Sequence, residues 1–332
     1  VRTKPTCPHF GICGGCKWQH VNYDEQRRIK QKQVRDPLVH VGGFADPVVH
    51  EVVPAPVPFG YRNKVDFSYS NLRFLLPDET DLEPEELDKP VDFALGFHAP
   101  LRYNKAIDID YCFLATPAMN QVLTAVRGFC LERGLSIYST KTHQGFLRNL
   151  VVRQSEATGK VMVNLVTTWH DEDVMKALAA TLKDALRQNL GTFVNGVTDR
   201  KSLVAFGDTE HVLVGDGSIT EKLGEFSYKI SPNSFFQTNT RQALALYEQI
   251  VACADLQPTD RVFDLYCGTG SIALFLSGHC QSVLGVEVIE SAIEDARANA
   301  KANEVANCRF KKLDMKEFRG LAESLGDDEK PD

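Results

Sequence analysis

The sequence predicts two folded units: a Rossmann-like α/β domain towards the C-terminal end and, before it, a β-rich α+β domain. Three observations carry this prediction. After Pro258 the apolar pattern alternates strand and helix as RVFDLY, SIALFLSG, SVLGVEV, ESAIEDARANAKANE and CRFKKLD. Such a β-α-β-α-β run demands a parallel sheet with helices on its faces. Its first strand runs into a glycine turn at Asp264–Gly270. Between Tyr61 and Lys229, by contrast, short runs alternate apolar and polar residues, the period of half-buried strands. The 332 residues are long enough for two cores, and 43% apolar with 24% charged residues is an ordinary globular composition.

From the N-terminus, the crowded cysteines Cys7, Cys13 and Cys16 lead into a polar helical segment, Tyr23–Arg35. Val52–Phe59 (VVPAPVPF) follows, and prolines at alternate positions favour extended chain there and exclude helix. Strands are expected at Lys64–Ser70, Asn149–Ser155 and Lys160–Thr168, with an acidic loop at Pro77–Pro90. Helical patterns occupy Pro117–Arg133 and Asp171–Gln188, and His211–Ser231 reads as two or three short strands joined by glycine turns. Thr240 is placed to cap a helix in which Ala243, Leu246, Tyr247 and Ile250 share a face.

The expected domains are therefore 1–25 with 58–231, a linker and packing helix at 26–57, and 232–332. A doubly wound domain needs further strands beside its first one, so 232–332 reads as the N-terminal half of a domain within a longer protein.

Net charge is −7, which as a whole weighs against nucleic-acid binding. The acid is concentrated at Asp78–Asp88 and Asp327–Asp332, however, while Arg27–Arg35 (RRIKQKQVR) is basic. A local RNA-facing surface is compatible with that distribution, as is a merely solvated face for each run. No apolar run reaches bilayer length, and the opening VRTKPTCPHF has no signal-peptide pattern. A cytoplasmic monomer with no membrane partner is the simplest expectation.

In RVFDLYCGTGSIALFLSG a buried strand ends near Asp264, and Gly268 and Gly270 permit a tight turn into a helix. A ligand can then approach the backbone closely. The D-x-x-C-G-x-G pattern differs from the G-x-G-x-x-G of dinucleotide sites. Glu287 closes the next strand, where a carboxylate can accept two ribose hydroxyls. Asp314 closes the third, suitably placed for an adenine amino group. Acidic residues at three successive strand ends favour S-adenosylmethionine over an NAD-type or ligand-free fold.

Three cysteines within ten residues, in a chain without a secretion signal, suggest a metal site more than a disulfide framework. Cys7-x5-Cys13-x2-Cys16 supplies three thiolates, and Cys112 in DIDYCFLATP is the best fourth. Four thiolates suit a 4Fe–4S cluster or zinc; the spacing, with one C-x2-C knuckle instead of two, leans to iron–sulfur. His9 or His20 could replace a ligand. Cys130, Cys253, Cys280 and Cys308 read as buried small hydrophobes.

Taken together, these motifs resemble the RNA uridine C5-methyltransferase family, which forms 5-methyluridine, in its iron–sulfur-containing 23S ribosomal RNA branch. CPHFGICGGCKWQH, YRNKVDFS, LGFHAP…IDIDYC, LRNLVVRQ, SPNSFFQTNT and DLYCGTGSIALFLS are similar to successive family blocks, in order. The resemblance implies a structural or RNA-positioning 4Fe–4S cluster on Cys7, Cys13, Cys16 and Cys112. It implies S-adenosylmethionine contacts from Gln237, Tyr266, Ser271, Glu287 and Asp314, around the turn of Asp264, Gly268 and Gly270. Phe235 would lie against RNA where the target base leaves its stack. The substrate implied is ribosomal RNA, with transfer RNA as the alternative.

The implied mechanism follows from the weak nucleophilicity of uracil C5. A Cys thiolate adds at C6, C5 becomes enolate-like and takes the methyl group, and a carboxylate base removes the C5 proton as the Cys leaves. The base must be flipped or single-stranded. No cysteine present has the nucleophile's context, and Cys267 belongs to the cofactor turn. The nucleophile and a Glu base are expected after Asp332, and without them the chain reads as a non-catalytic iron–sulfur RNA-binding module.

Overall fold

The computed structural model describes all residues except 1, 203, 325, 327–329 and 332, so the acidic run at Asp327–Asp332 falls outside it save for Lys330 and Pro331. Helix α1 (Tyr23–His40) starts where the Asn22 side chain accepts the Asp24 N–H, and none of its residues is buried. Hydrogen bonds hold it instead. Arg27 Nε donates to Val52 O (3.2 Å), Gln31 Nε2 to Val49 O (3.1 Å), and the Ala55 N–H to Tyr23 Oη (2.7 Å). The proline-rich segment therefore runs as extended chain beside a polar helix.

Seven strands form the large sheet: β1 (Lys64–Ser70), β2 (Ala94–Ala99), β3 (Arg102–Asp108), β4 (Leu147–Gln154), β5 (Val161–Thr167), β6 (Leu190–Val197) and β7 (Thr209–Val214). Their order is β3-β2-β1-β4-β5-β6-β7. Only β5 and β6 are parallel. Helix α2 (Pro117–Glu132) leads into β4, and α3 (Glu172–Leu186) makes the crossover that a parallel pair requires. Leu123, Val126, Leu178 and Leu182 on these helices share one core with Phe67, Leu150, Val163 and Leu165 of the sheet.

Alternation in the sequence suggests half-buried strands, yet β4 is buried at all but its last residue and β5 along its whole length. The sheet's far face is covered as well: Met162 of β5 belongs to the second core, which lies across from the helices. The acidic loop is not simply solvated either. Glu79 receives two hydrogen bonds from the buried Arg73 guanidinium, both 2.8 Å.

The second unit contains the hairpin β8 (Ile219–Leu223) and β9 (Phe226–Ile230), then α4 (Thr240–Ala254). It continues with β10 (Arg261–Leu265), α5 (Ser271–Leu276), β11 (Ser282–Glu287), α6 (Glu290–Ala302), β12 (Cys308–Lys312) and α7 (Phe318–Ser324). β10, β11 and β12 form a parallel sheet in that order. Tyr228 and Ile230 of the hairpin pack with Leu274, Ile293 and Phe310, so the hairpin shares its core with the parallel sheet.

Three residue-level expectations change. Asn239, not Thr240, caps α4: its side chain accepts the Gln242 N–H (3.1 Å) while the Thr240 hydroxyl turns inward to accept from Asn63 Nδ2 (2.9 Å). Ala243 and Tyr247 are buried, but Leu246 is 50% exposed, because the buried stripe of α4 is narrower than its apolar sequence. Cys253 is exposed near the end of that helix. Among the described residues no helix is long and apolar enough to cross a membrane.

Candidate cofactor site and cysteine cavity

β10 delivers the chain into the turn through Tyr266, whose φ of 65° is unusual for a residue with a side chain. Gly268 (φ 54°) and Gly270 (φ 78°) are also left-handed. The turn is pinned to β11 on both sides. The Cys267 N–H donates to Val286 O (3.0 Å), and the Gly268 N–H donates to Glu287 Oε2 (3.2 Å). Glu287 Oε1 accepts the N–H groups of Val288 (2.8 Å) and Ile289 (3.0 Å). One carboxylate thus organises both the glycine turn and the exit from its own strand.

Asp264 Oδ2 accepts the Ala273 N–H (3.0 Å) from the first turn of α5. Burial, with the Glu287 charge adding to it, raises the Asp264 carboxyl to about 6. Asp314 lies beyond β12, is exposed, and accepts the Lys316 N–H (2.9 Å); the Leu313 N–H donates to Glu287 O (2.9 Å) and holds the two strand ends together. Asp264, Glu287 and Asp314 therefore line one edge of the parallel sheet. Ser271 Oγ is hydrogen-bonded to Tyr247 Oη (2.8 Å).

The Phe235–Gln237 segment lies beside this edge. Thr269 Oγ1 donates to Phe235 O (3.4 Å), and Gln237 O accepts from Asn63 Nδ2 (2.8 Å). Phe235 is 67% exposed and Tyr266 70% exposed. Val288 and Ile289, absent from the sequence-predicted set, are exposed just beyond Glu287. Their signal was two apolar residues continuing past the acid that closes the strand. An open apolar surface beside a strand-end carboxylate fits a purine and its ribose.

Cys267 is buried behind the turn, and burial together with Asp264 and Glu287 pushes its thiol up to about 12. Such a thiol is a poor source of thiolate at neutral pH.

Cys7, Cys13, Cys16 and Cys112 line one cavity of ≈ 90 Å³, walled by Phe97 and Ile109 among others. Asn120 of α2 clamps Cys112 by accepting its N–H (2.8 Å) and donating to its carbonyl (3.1 Å). The Gly15 N–H points at Cys13 Sγ (3.4 Å). Burial first, then the neighbouring thiols, raise Cys7 and Cys13; burial likewise raises Cys112. Among the described residues no group of three or more His, Cys, Asp or Glu side chains is arranged to hold a metal ion. His9 lines the cavity, whereas His20 packs against Phe10 with ring centres 5.2 Å apart.

With this geometry in place, a family model described as tRNA (uracil-5-)-methyltransferase matches residues 142–325. A Chlorobaculum tepidum protein named an uncharacterized RNA methyltransferase is 50% identical over 330 residues, covering 99% of this chain and 68% of its own length. Its namesake in Bacteroides thetaiotaomicron is 36% identical over 324 residues, covering 96% and 70%. The crystal structure of Pyrococcus abyssi tRNA (uracil-54, C5)-methyltransferase in complex with S-adenosyl-L-homocysteine superposes with a TM-score of 0.70 at 30% identity. That alignment covers 92% of this chain and 66% of the other.

Proposed function

The chain belongs to the tRNA (uracil-5-)-methyltransferase family, and from that premise we propose that it binds S-adenosylmethionine for C5 methylation of a uridine in 23S ribosomal RNA. The observation that carries this reading is the glycine turn tied to Glu287, flanked by Asp264 and Asp314 on adjacent strand ends. S-adenosylmethionine supplies the methyl group. Gly268 and Gly270 admit it to the backbone, Glu287 receives the ribose hydroxyls, and Asp314 receives the adenine amino group. Tyr266 supports the purine, with Gln237 and Ser271 completing the contacts. Phe235 faces the RNA. The thiolate that adds to uracil C6 is assigned to none of the nine cysteines here, since Cys267 is buried with its thiol pushed up to about 12.

The test is methyl transfer from labelled S-adenosylmethionine by the full-length protein to unmodified ribosomal and transfer RNA. Label at a 23S uridine C5 is expected, and label only on protein or small molecules would overturn the function. The second reading, a transfer-RNA uridine, is favoured by the likeness to the Pyrococcus abyssi enzyme, and label on transfer RNA alone would establish it.

The four cysteines of the cavity are assigned to a 4Fe–4S cluster that orders the loop. The donor set fits: four thiols line one cavity, and burial raises those of Cys7, Cys13 and Cys112, so a cationic centre is what would favour their thiolates. Zinc is the competing occupant of four thiolates, and the single C-x2-C knuckle, in place of the two usual in structural zinc sites, favours the cluster. Broad visible absorbance with iron and sulfide by analysis is expected, and Cys16→Ser should abolish both. Stoichiometric zinc without sulfide would refute the assignment.

A further inference from the structure

A second, larger concavity of ≈ 730 Å³ lies between the cysteine loop, α1 and the start of α4. In a chain with 44 acidic and 37 basic residues, its lining holds Lys4, Lys17, Arg27 and Lys30 and no Asp or Glu. The basic run of α1 divides accordingly. Arg27 pairs with Asp24, Arg28 with Glu25 and Arg35 with Asp46. Lys4, Lys17 and Lys30 are exposed and enter no ion pair among the described residues. Trp18 and Tyr61 stand half-buried in the groove, and Lys30 Nζ lies 6.0 Å from the Trp18 ring centre.

Unpaired cations beside an aromatic face match single-stranded RNA: phosphates need the former and unstacked bases the latter. A duplex hides its base faces and has no use for Trp18. Gly15 and Cys16 of the cysteine loop line it, and so do Asn239 and Gln242 at the start of α4. Asn239 is two residues beyond Gln237 of the cofactor set. α1, with no buried residue of its own, is explained as a wall of this groove.

We propose that the groove between the cysteine loop and α1 guides a single-stranded RNA segment flanking the target uridine. Its phosphates lie on Lys4, Lys17 and Lys30, and a base stacks on Trp18. The inference rests on the RNA-methyltransferase reading and adds to it a path for the substrate strand.

The experiment titrates the full chain against a fluorescein-labelled, roughly 12-nucleotide single-stranded RNA, following anisotropy over a series of salt concentrations. Removing two phosphate contacts with Lys4→Glu/Lys30→Glu should raise Kd at least about tenfold and flatten the log Kd against log salt slope by about 1.4. Trp18→Ala should weaken binding about five- to hundred-fold without changing the slope, and Trp18→Phe should restore most of it. S-adenosylmethionine affinity by calorimetry should be unchanged in all variants. Wild-type affinity and slope in the variants would overturn the groove, leaving the methyltransferase reading intact. RNA binding absent from the wild-type chain while S-adenosylmethionine binds would overturn both.

Discussion

Asp264 and Glu287 share the turn but answer to different physics. The Asp264 carboxyl, raised to about 6, holds a proton that the unfolded chain has released above about pH 4. Between about pH 4 and 6 the native state therefore binds more protons than the unfolded state, and stability falls as pH rises through that window. The loss is of order 2 kcal/mol, because Asp264 is half-buried and partly screened. A cationic cofactor reverses the preference by favouring the carboxylate. The affinity of S-adenosylmethionine should then fall as pH drops below about 6, up to tenfold per unit, while Asp264→Asn should give a flat profile by calorimetry. Glu287→Ala should weaken cofactor binding by about 1–3 kcal/mol. Since Glu287 also holds the Gly268 N–H, the control is Glu287→Gln, which keeps an acceptor for the turn; affinity unchanged in the Ala variant would remove the ribose assignment.

At the scale of elements, the turn into α5 separates its two left-handed glycines. A Cβ on Gly268 (φ 54°) meets nothing within 4 Å, whereas one on Gly270 (φ 78°) would lie 2.9 Å from the Phe310 ring and 3.1 Å from Ala296. Gly268→Ala should cost only the backbone penalty, about 1–2 kcal/mol. Gly270→Ala adds a clash with two other elements and should cost more, measured by urea unfolding; equal losses would mean that Phe310 yields freely. The sequence made this turn legible, with the acids of its three strand ends, because loop-forming glycines and strand-closing carboxylates are local signals. It did not make β4 and β5 legible as strands buried on both faces. Periodicity tells which residues share a face but not what covers the other one. The same blindness explains Leu246, apolar yet exposed. It explains Asn239 too: both it and Thr240 suit a cap, and only the distant Asn63 decides which hydroxyl or amide is free. Cys112 is legible in the sequence as the best fourth thiolate for the cysteine loop, while its clamp from Asn120 lies on α2, eight residues away in sequence and invisible to any motif.

At the scale of the whole molecule, the two cores meet at a buried carboxylate. Glu221 of β8, 1% exposed, accepts the N–H groups of Glu156 (2.8 Å) and Ala157 (3.0 Å) from the β4–β5 turn of the large sheet. It also accepts the Thr240 hydroxyl (3.3 Å) at the start of α4. Thr240 in turn receives Asn63 Nδ2, which bonds Gln237 O as well. Sheet, hairpin, α4 and the Gln237 segment are therefore coupled through four neighbouring side chains and backbones rather than joined by a flexible hinge. Glu221→Ala removes the acceptor of two part-buried N–H donors and should cost about 1–3 kcal/mol, as should Asn63→Ala. Because both act on Thr240, the double variant should depart from the sum of the singles by at least about 0.5 kcal/mol. Urea unfolding monitored at once by fluorescence and by S-adenosylmethionine affinity reads the consequence for the site: Asn63→Ala should loosen cofactor binding although it touches no predicted cofactor contact with its side chain except the Gln237 backbone. Strictly additive losses, with cofactor affinity untouched, would mean that the large sheet only carries the parallel-sheet unit and does not position its site.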